Sequence, residues 1–153
     1  MNQSAESSSG VTIEQPIRWG DLDSLGHVNN IIFFQFCESA RIAYFERIEL
    51  DRFKRKATDG PGLVAAKLNF RRQLRYPGTV AVSANVTRIG GKAFTLSYAI
   101  RDVADGEIAA DGDSVCVWVD YQAGRAMPLP EPLIEKIRLL ERDDRLGRID
   151  PPS

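Results

Sequence analysis

Residues 31–48, IIFFQFCESARIAYFERI, contain neither Gly nor Pro, and that stretch constrains the rest of the chain. Its length predicts an α-helix, which Ile31, Ile32, Phe33, Phe34, Phe36, Ala40, Ile42, Ala43, Tyr44, Phe45 and Ile48 nearly encircle. A helix that apolar has to be covered on most sides and not merely laid on a surface. Asn29 or Asn30, just ahead of it, is a sound N-cap. With 153 residues the chain fits one domain, so little else is available to do the covering.

The remaining sequence supplies strands. In VTIEQPIRW, residues 11–19, Val11, Ile13, Ile17 and Trp19 share one face, and Pro16 places the strand at an edge. Beyond a charged connection, Val64, Ala66, Leu68 and Phe70 alternate with Ala65, Lys67, Asn69 and Arg71. After the Tyr76-Pro77-Gly78 turn, Val80, Val82, Ala84 and Val86 line one face of a third strand. The Gly90-Gly91 turn leads to a fourth, with Phe94, Leu96, Tyr98 and Ile100 on one face. A fifth, about 107–119, ends in VCVWV, apolar on both faces, which predicts that a second subunit covers one of them. A short amphipathic helix follows, with Pro132 near its first turn and Leu133, Ile137 and Leu140 on one side. The economical arrangement is α+β, a five-stranded antiparallel sheet wrapped around one long central helix. Residues 1–10 and 142–153 read as flexible tails around a domain spanning 11–141.

Composition excludes several functions. Twenty basic residues against 21 acidic ones leave a formal charge of −1 and no global attraction to nucleic acid. No apolar run is long enough to cross a bilayer, and the N-terminus has no signal-peptide pattern, so a cytoplasmic location is expected. One His and two scattered cysteines, Cys37 and Cys116, offer no metal-ligand spacing. Neither a metal nor another cofactor is expected, and both thiols read as small buried hydrophobes.

The polar chemistry is crowded into residues 18–30, RWGDLDSLGHVNN, directly before the helix. The motif D-L-D-S-L-G-H-V-N-N at 21–30, followed by this helix and these strands, resembles the hotdog-fold thioesterases. The nearest branch is the 4-hydroxybenzoyl-CoA thioesterase-like and bacterial long-chain acyl-CoA thioesterase group. Plant acyl-ACP thioesterases carry a similar D-L-D-x-N-x-H-V-N-N. The resemblance spans about residues 11–141 and implies a homo-oligomer, a dimer or a homotetramer, that hydrolyses an acyl thioester at a subunit interface. It places Asp23 at the family's catalytic aspartate. Leu25 stands where the plant enzymes have a catalytic Asn, so their triad is not carried over.

Thioester hydrolysis needs a carboxylate to attack the carbonyl or activate water, and donors for the oxyanion that forms. A helix start supplies unpaired N–H groups and the positive end of a dipole. On that basis Asp23 is the expected base or nucleophile, and the backbone amides from Gly26 through His27 to Val28 are the expected oxyanion donors. The His27 ring either positions Asp23 or a water, or only holds the loop. Asp21 is expected to be a structural partner of Arg18, Glu38 to pair with Arg41 in a buried setting, and Asn30 to cap the helix and touch substrate. Arg88 and Lys92, within the basic set Arg71, Arg72, Arg75, Arg88 and Lys92, are candidates for the coenzyme A phosphates. The expected function is acyl-CoA hydrolysis. An acyl-ACP thioesterase and a non-catalytic acyl-CoA-binding module are the alternatives.

Overall fold

The computed structural model describes residues 9–143 and 145–147. Strand β1 (Val11–Ile17) leads through a 3-10 turn (Trp19–Asp21) and a tight loop into helix α1 (Asn30–Arg47). A second 3-10 turn, Leu50–Phe53, leads into strands β2 (Asp59–Phe70), β3 (Gly78–Ile89), β4 (Ala93–Asp102) and β5 (Ile108–Asp120). A two-residue β6 (Arg125–Ala126) and helix α2 (Glu131–Glu141) complete the order. The strands form one antiparallel sheet, β1-β3-β4-β5-β2, with β6 paired to β5. The expected five strands are thus joined by one short extra pair.

Period-two alternation decides which face of the sheet is inside. Val80, Val82, Ala84 and Val86 of β3, and Phe94, Leu96, Tyr98 and Ile100 of β4, are all buried. Cys116 and Trp118 of β5 join them. Against this concave face α1 lays Phe33, Phe36, Cys37, Ala40 and Tyr44, with Ile48 following at its C-cap. These positions recur at three- and four-residue intervals and make one stripe. Each large apolar side chain fully buried there contributes about 1.5–3 kcal/mol before conformational entropy is counted. At the helix start Asn29 is the cap, its side chain accepting from the Ile31 N–H. Asn30 is the first helical residue, which settles the choice between the two. Pro16 pairs with Thr79 on the edge strand β1, where a missing donor is tolerated.

One expectation needs correction. Trp19 does not continue the β1 face: the Asp21 carboxylate captures the Arg18 N–H, the chain turns, and the indole is exposed. Within one chain helix α1 is covered on the side that faces the sheet. Ile31, Phe34 and Ile42 stay exposed on the face away from it. Among the described residues strand β2 pairs only with β5, and Leu63, Val64 and Phe70 are likewise exposed.

Helix α2 buries Leu133, Ile134 and Ile137, and Pro132 lies in its first turn. Its last residue, Glu141, accepts from the Tyr44 hydroxyl, the Asn85 amide and the Val86 N–H, pinning α2 to α1 and β3 together. Of the expected tails, Gly10 donates to the Leu140 carbonyl, and Leu146 packs against the core. Residues 1–8, 144 and 148–153 lie outside the described residues.

Candidate active site

The loop ahead of α1 is built from its own hydrogen bonds. Leu22 and Val28 form an isolated antiparallel bridge, which closes residues 23–27 into a narrow turn. Within it the Asp23 N–H donates to the His27 carbonyl at 2.8 Å, and the Gly26 N–H donates to the Asp23 carbonyl at 3.1 Å. Gly26 has φ +81°, the left-handed region that a side chain makes costly. The Val28 N–H reaches the Leu74 carbonyl at 2.9 Å, tying the loop to the connection between β2 and β3.

Two acids sit in this loop with different surroundings. Asp21 is 2% exposed. Its carboxylate accepts from the Arg18 N–H at 2.8 Å and from Arg18 Nη2 at 3.1 Å, while its carbonyl accepts from the Asn29 N–H. It is the structural partner of Arg18, as its spacing suggested. Asp23 is half-buried. Its Oδ1 accepts from the Leu25 N–H at 2.9 Å and the His27 N–H at 3.2 Å. Its Oδ2 has no partner among the described residues. One oxygen is therefore fixed and the other is presented. The His27 ring is half-buried and has no hydrogen-bond partner among the described residues.

The expected oxyanion donors are already committed. The amides of Gly26, His27 and Val28 each have an acceptor inside the protein, because a loop this tight has to satisfy its own backbone. The Asn29 N–H goes to Asp21, the Ile31 N–H to the Asn29 side chain and the Ile32 N–H to the Asn29 carbonyl. That leaves the Asn30 N–H, the first of α1, without an acceptor among the described residues. Sequence reasoning missed it because the loop's internal pairing is a tertiary fact. The available signal was the choice of cap: once Asn29 is the N-cap, Asn30 is the first orphan donor.

Beside the helix start lies a cavity of about 200 Å³ between α1 and the β2 side of the sheet. Ile31, Phe34, Gln35, Glu38 and Arg41 line it from α1, Leu63, Ala66, Lys67 and Leu68 from β2, and Tyr98, Asp113 and Ser114 from the floor. Glu38 pairs with Arg41 as expected, but the ion pair is long, 4.0 Å, and Glu38 is 66% exposed where burial was expected. Arg41 donates to the Tyr98 hydroxyl at 3.1 Å, which lies 2.7 Å from Ser114 Oγ. Burial raises the Tyr98 hydroxyl pKa, against the opposing hydrogen bonds from Ser114 and Arg41. Burial also pushes the Cys37 thiol up to about 12 and the Cys116 thiol to about 11, with the Arg41 charge opposing both.

The basic candidates separate into two groups. Arg88 and Lys92 are exposed at the β3–β4 hairpin. The Asp23 loop is tied to Leu74, just ahead of the opposite end of β3, on the order of 33 Å away along the strand. Within one chain these residues and Asp23 are not brought together. Arg72 and Arg75 flank Leu74, whose carbonyl holds the loop. Arg72 is paired with Asp102 and Asp105, and Arg75 is exposed with no ion pair among the described residues. Among the described residues no three His, Cys, Asp or Glu side chains converge to hold a metal.

A sheet curled around one long helix, with an acidic turn at the helix start, is the hotdog architecture of thioester-cleaving enzymes. Residues 17–137 match the model of the thioesterase-like superfamily, and the chain belongs to that family. Its chemistry is thioester hydrolysis. It is 26% identical over 121 residues to the long-chain acyl-CoA thioesterase FadM of Escherichia coli, covering 79% of this chain and 92% of that protein. A thioesterase from Thermus thermophilus, solved with coenzyme A and Zn, superposes with a TM-score of 0.76 at 31% identity, covering 89% of this chain and 97% of that one. The 1,4-dihydroxy-2-naphthoyl-CoA thioesterase Slr0204 of Synechocystis shares the fold, with a TM-score of 0.74 at 21% identity over 82% of this chain and 93% of its own.

Proposed function

We propose that this enzyme hydrolyses acyl-CoA thioesters, with Asp23 as the catalytic carboxylate and the Asn30 N–H as the oxyanion donor. The supporting observation is a half-fixed carboxylate in the turn that leads into α1, whose first amide has no acceptor among the described residues. The carbonyl oxygen of the thioester docks on the Asn30 N–H, where the helix dipole adds to the hydrogen bond. Asp23 Oδ2 then attacks the carbonyl carbon and expels the coenzyme A thiolate, leaving a mixed anhydride for water to open. Alternatively it takes a proton from the water that attacks. The names of FadM and of the coenzyme A complex favour free coenzyme A as the carrier over an acyl carrier protein. Arg75, next to the loop, is the phosphate contact available from the same chain, whereas Arg88 and Lys92 could contribute only across an interface.

The active assembly in this reading is a homodimer or a pair of dimers in the cytoplasm. Strand β2 has an edge unpaired among the described residues, and Leu63, Val64 and Phe70 are exposed along it beside the bare face of α1. A second copy pairing there covers both and closes the cavity. Among the described residues no helix is long and apolar enough to cross a membrane. The test is a panel of acyl-CoA and acyl-ACP thioesters followed by thiol release, alongside sedimentation at micromolar concentration. Turnover of coenzyme A thioesters by a dimer or larger species is the expected result. Turnover confined to carrier-protein thioesters would select the alternative, and no turnover would leave a binding module.

A further inference from the structure

The cavity along α1 contains a guanidinium that the chain leaves short of acceptors. Arg41 has five N–H donors to place, and its side chain is 12% exposed. One donor, on Nη1, goes to the Tyr98 hydroxyl. Glu38 forms a long ion pair with the guanidinium, 4.0 Å from Nη2 and outside hydrogen-bond range, so that carboxylate takes none of its N–H donors. Glu38 points largely to solvent. The other two charges on the lining, Lys67 of β2 and Asp113 of β5, face each other in register and are exposed, so they offset one another at the rim. Cys37 lines the same cavity, but it is a protonated thiol and a weak acceptor. A cation this buried with one neutral hydrogen bond is ordinarily completed by another acceptor.

We propose that the cavity selects acyl groups bearing an oxygen acceptor at the end remote from the thioester, and that Arg41, backed by Tyr98 and Ser114, receives that oxygen. This deepens the reading above and rests on it, since it takes the thioester carbonyl to sit at the Asn30 N–H. From Asn30 to Arg41 is eleven residues, about 16 Å along the helix axis. The arginine side chain leans back toward the N-terminus, which shortens the gap. A volume of about 200 Å³ compares with the roughly 150 Å³ that admits benzene. One substituted ring or a chain of medium length fits, with its apolar part against Ile31, Phe34 and Leu68. A plain alkyl end would leave the guanidinium donors facing methyl groups and lose that contact.

The test compares octanoyl-CoA with 8-hydroxyoctanoyl-CoA and octanedioyl-CoA, whose far ends are apolar, neutral oxygen and carboxylate. In the wild-type enzyme kcat/KM should favour at least one oxygen-ended substrate by about 10- to 100-fold, the range for a hydrogen bond to a charged group. Which of the two leads tells whether the acceptor is neutral or anionic. Arg41→Met should bring the ratio toward unity. A wild-type preference for octanoyl-CoA, or a ratio that survives Arg41→Met, overturns the inference. The wild-type ratio is decisive even if the variant fails to fold. If no thioester is hydrolysed, the proposed function fails separately. Thermal stabilisation by the free acids then decides this inference: a larger Tm rise with 8-hydroxyoctanoic or octanedioic acid than with octanoic acid supports it, and equal rises overturn it.

Discussion

Replacing Asp23 separates a catalytic carboxylate from one that only shapes the turn, because its two oxygens have different jobs. Oδ1 holds the Leu25 and His27 amides, while Oδ2 faces no protein group among the described residues. Asp23→Asn keeps an oxygen for the two amides and replaces the presented oxygen with an NH₂ that can neither attack nor accept a proton from water. The fold should notice little, about 0.5 kcal/mol or less. Turnover should fall by about 10²- to 10⁴-fold, the range for losing a general base, which is about 2.7 to 5.4 kcal/mol of transition-state stabilisation. Asp23→Ala removes the acceptor as well. The half-buried loop lets water replace it, so the added cost is about 1 kcal/mol, or some 2–4 °C of melting temperature for a chain of this size. The assay is thiol release from an acyl-CoA, with melting curves on the same samples. In a single turnover in ¹⁸O water, label found in Asp23 would show that it attacked and that water opened the anhydride at the aspartyl carbonyl, because a general base does not exchange its own oxygens. Near-normal turnover by folded Asp23→Asn would refute the assignment. Equal losses of stability in both variants would show that the carboxylate only braces the turn.

Asp21→Ala should cost about 1–3 kcal/mol, because it leaves the Arg18 N–H without an acceptor and a cavity at a 2% exposed position. Its signature is a lowered melting temperature with most activity kept below the transition. Val64→Glu places a charge on the exposed edge of β2 and should shift sedimentation toward monomer while lowering turnover; an unchanged oligomer would move the interface elsewhere. Burial holds the Cys37 thiol up at about 12 and Cys116 at about 11, so both stay protonated as pH rises through 8 and 9. Iodoacetamide should modify neither in the native protein and both after denaturation, as mass spectrometry would record. Dialysis against a chelator should leave hydrolysis unchanged, and activity that returns only with a divalent ion would reassign the chemistry.

The sequence alone determined the elements that repeat. Period-two runs such as Val80, Val82, Ala84 and Val86 report a buried strand face because alternation has one structural meaning when half the residues are apolar. The Gly- and Pro-free stretch after Asn29-Asn30 could only be a helix, and the acidic turn before it singled out the candidate site. Pairing across the fold lay beyond its reach. Which acid is spent on Arg18 and which presents an oxygen depends on how the chain turns after Ile17. The commitment of the Gly26, His27 and Val28 amides depends on a bridge from Leu22 to Val28 and on a carbonyl offered by Leu74. Arg41 read as a partner for Glu38 because helical spacing permits that pair, yet the sheet places a Tyr98 hydroxyl closer. Local patterns fix what each segment is. Only tertiary packing decides which hydrogen-bonding groups are used up and which are left for a substrate.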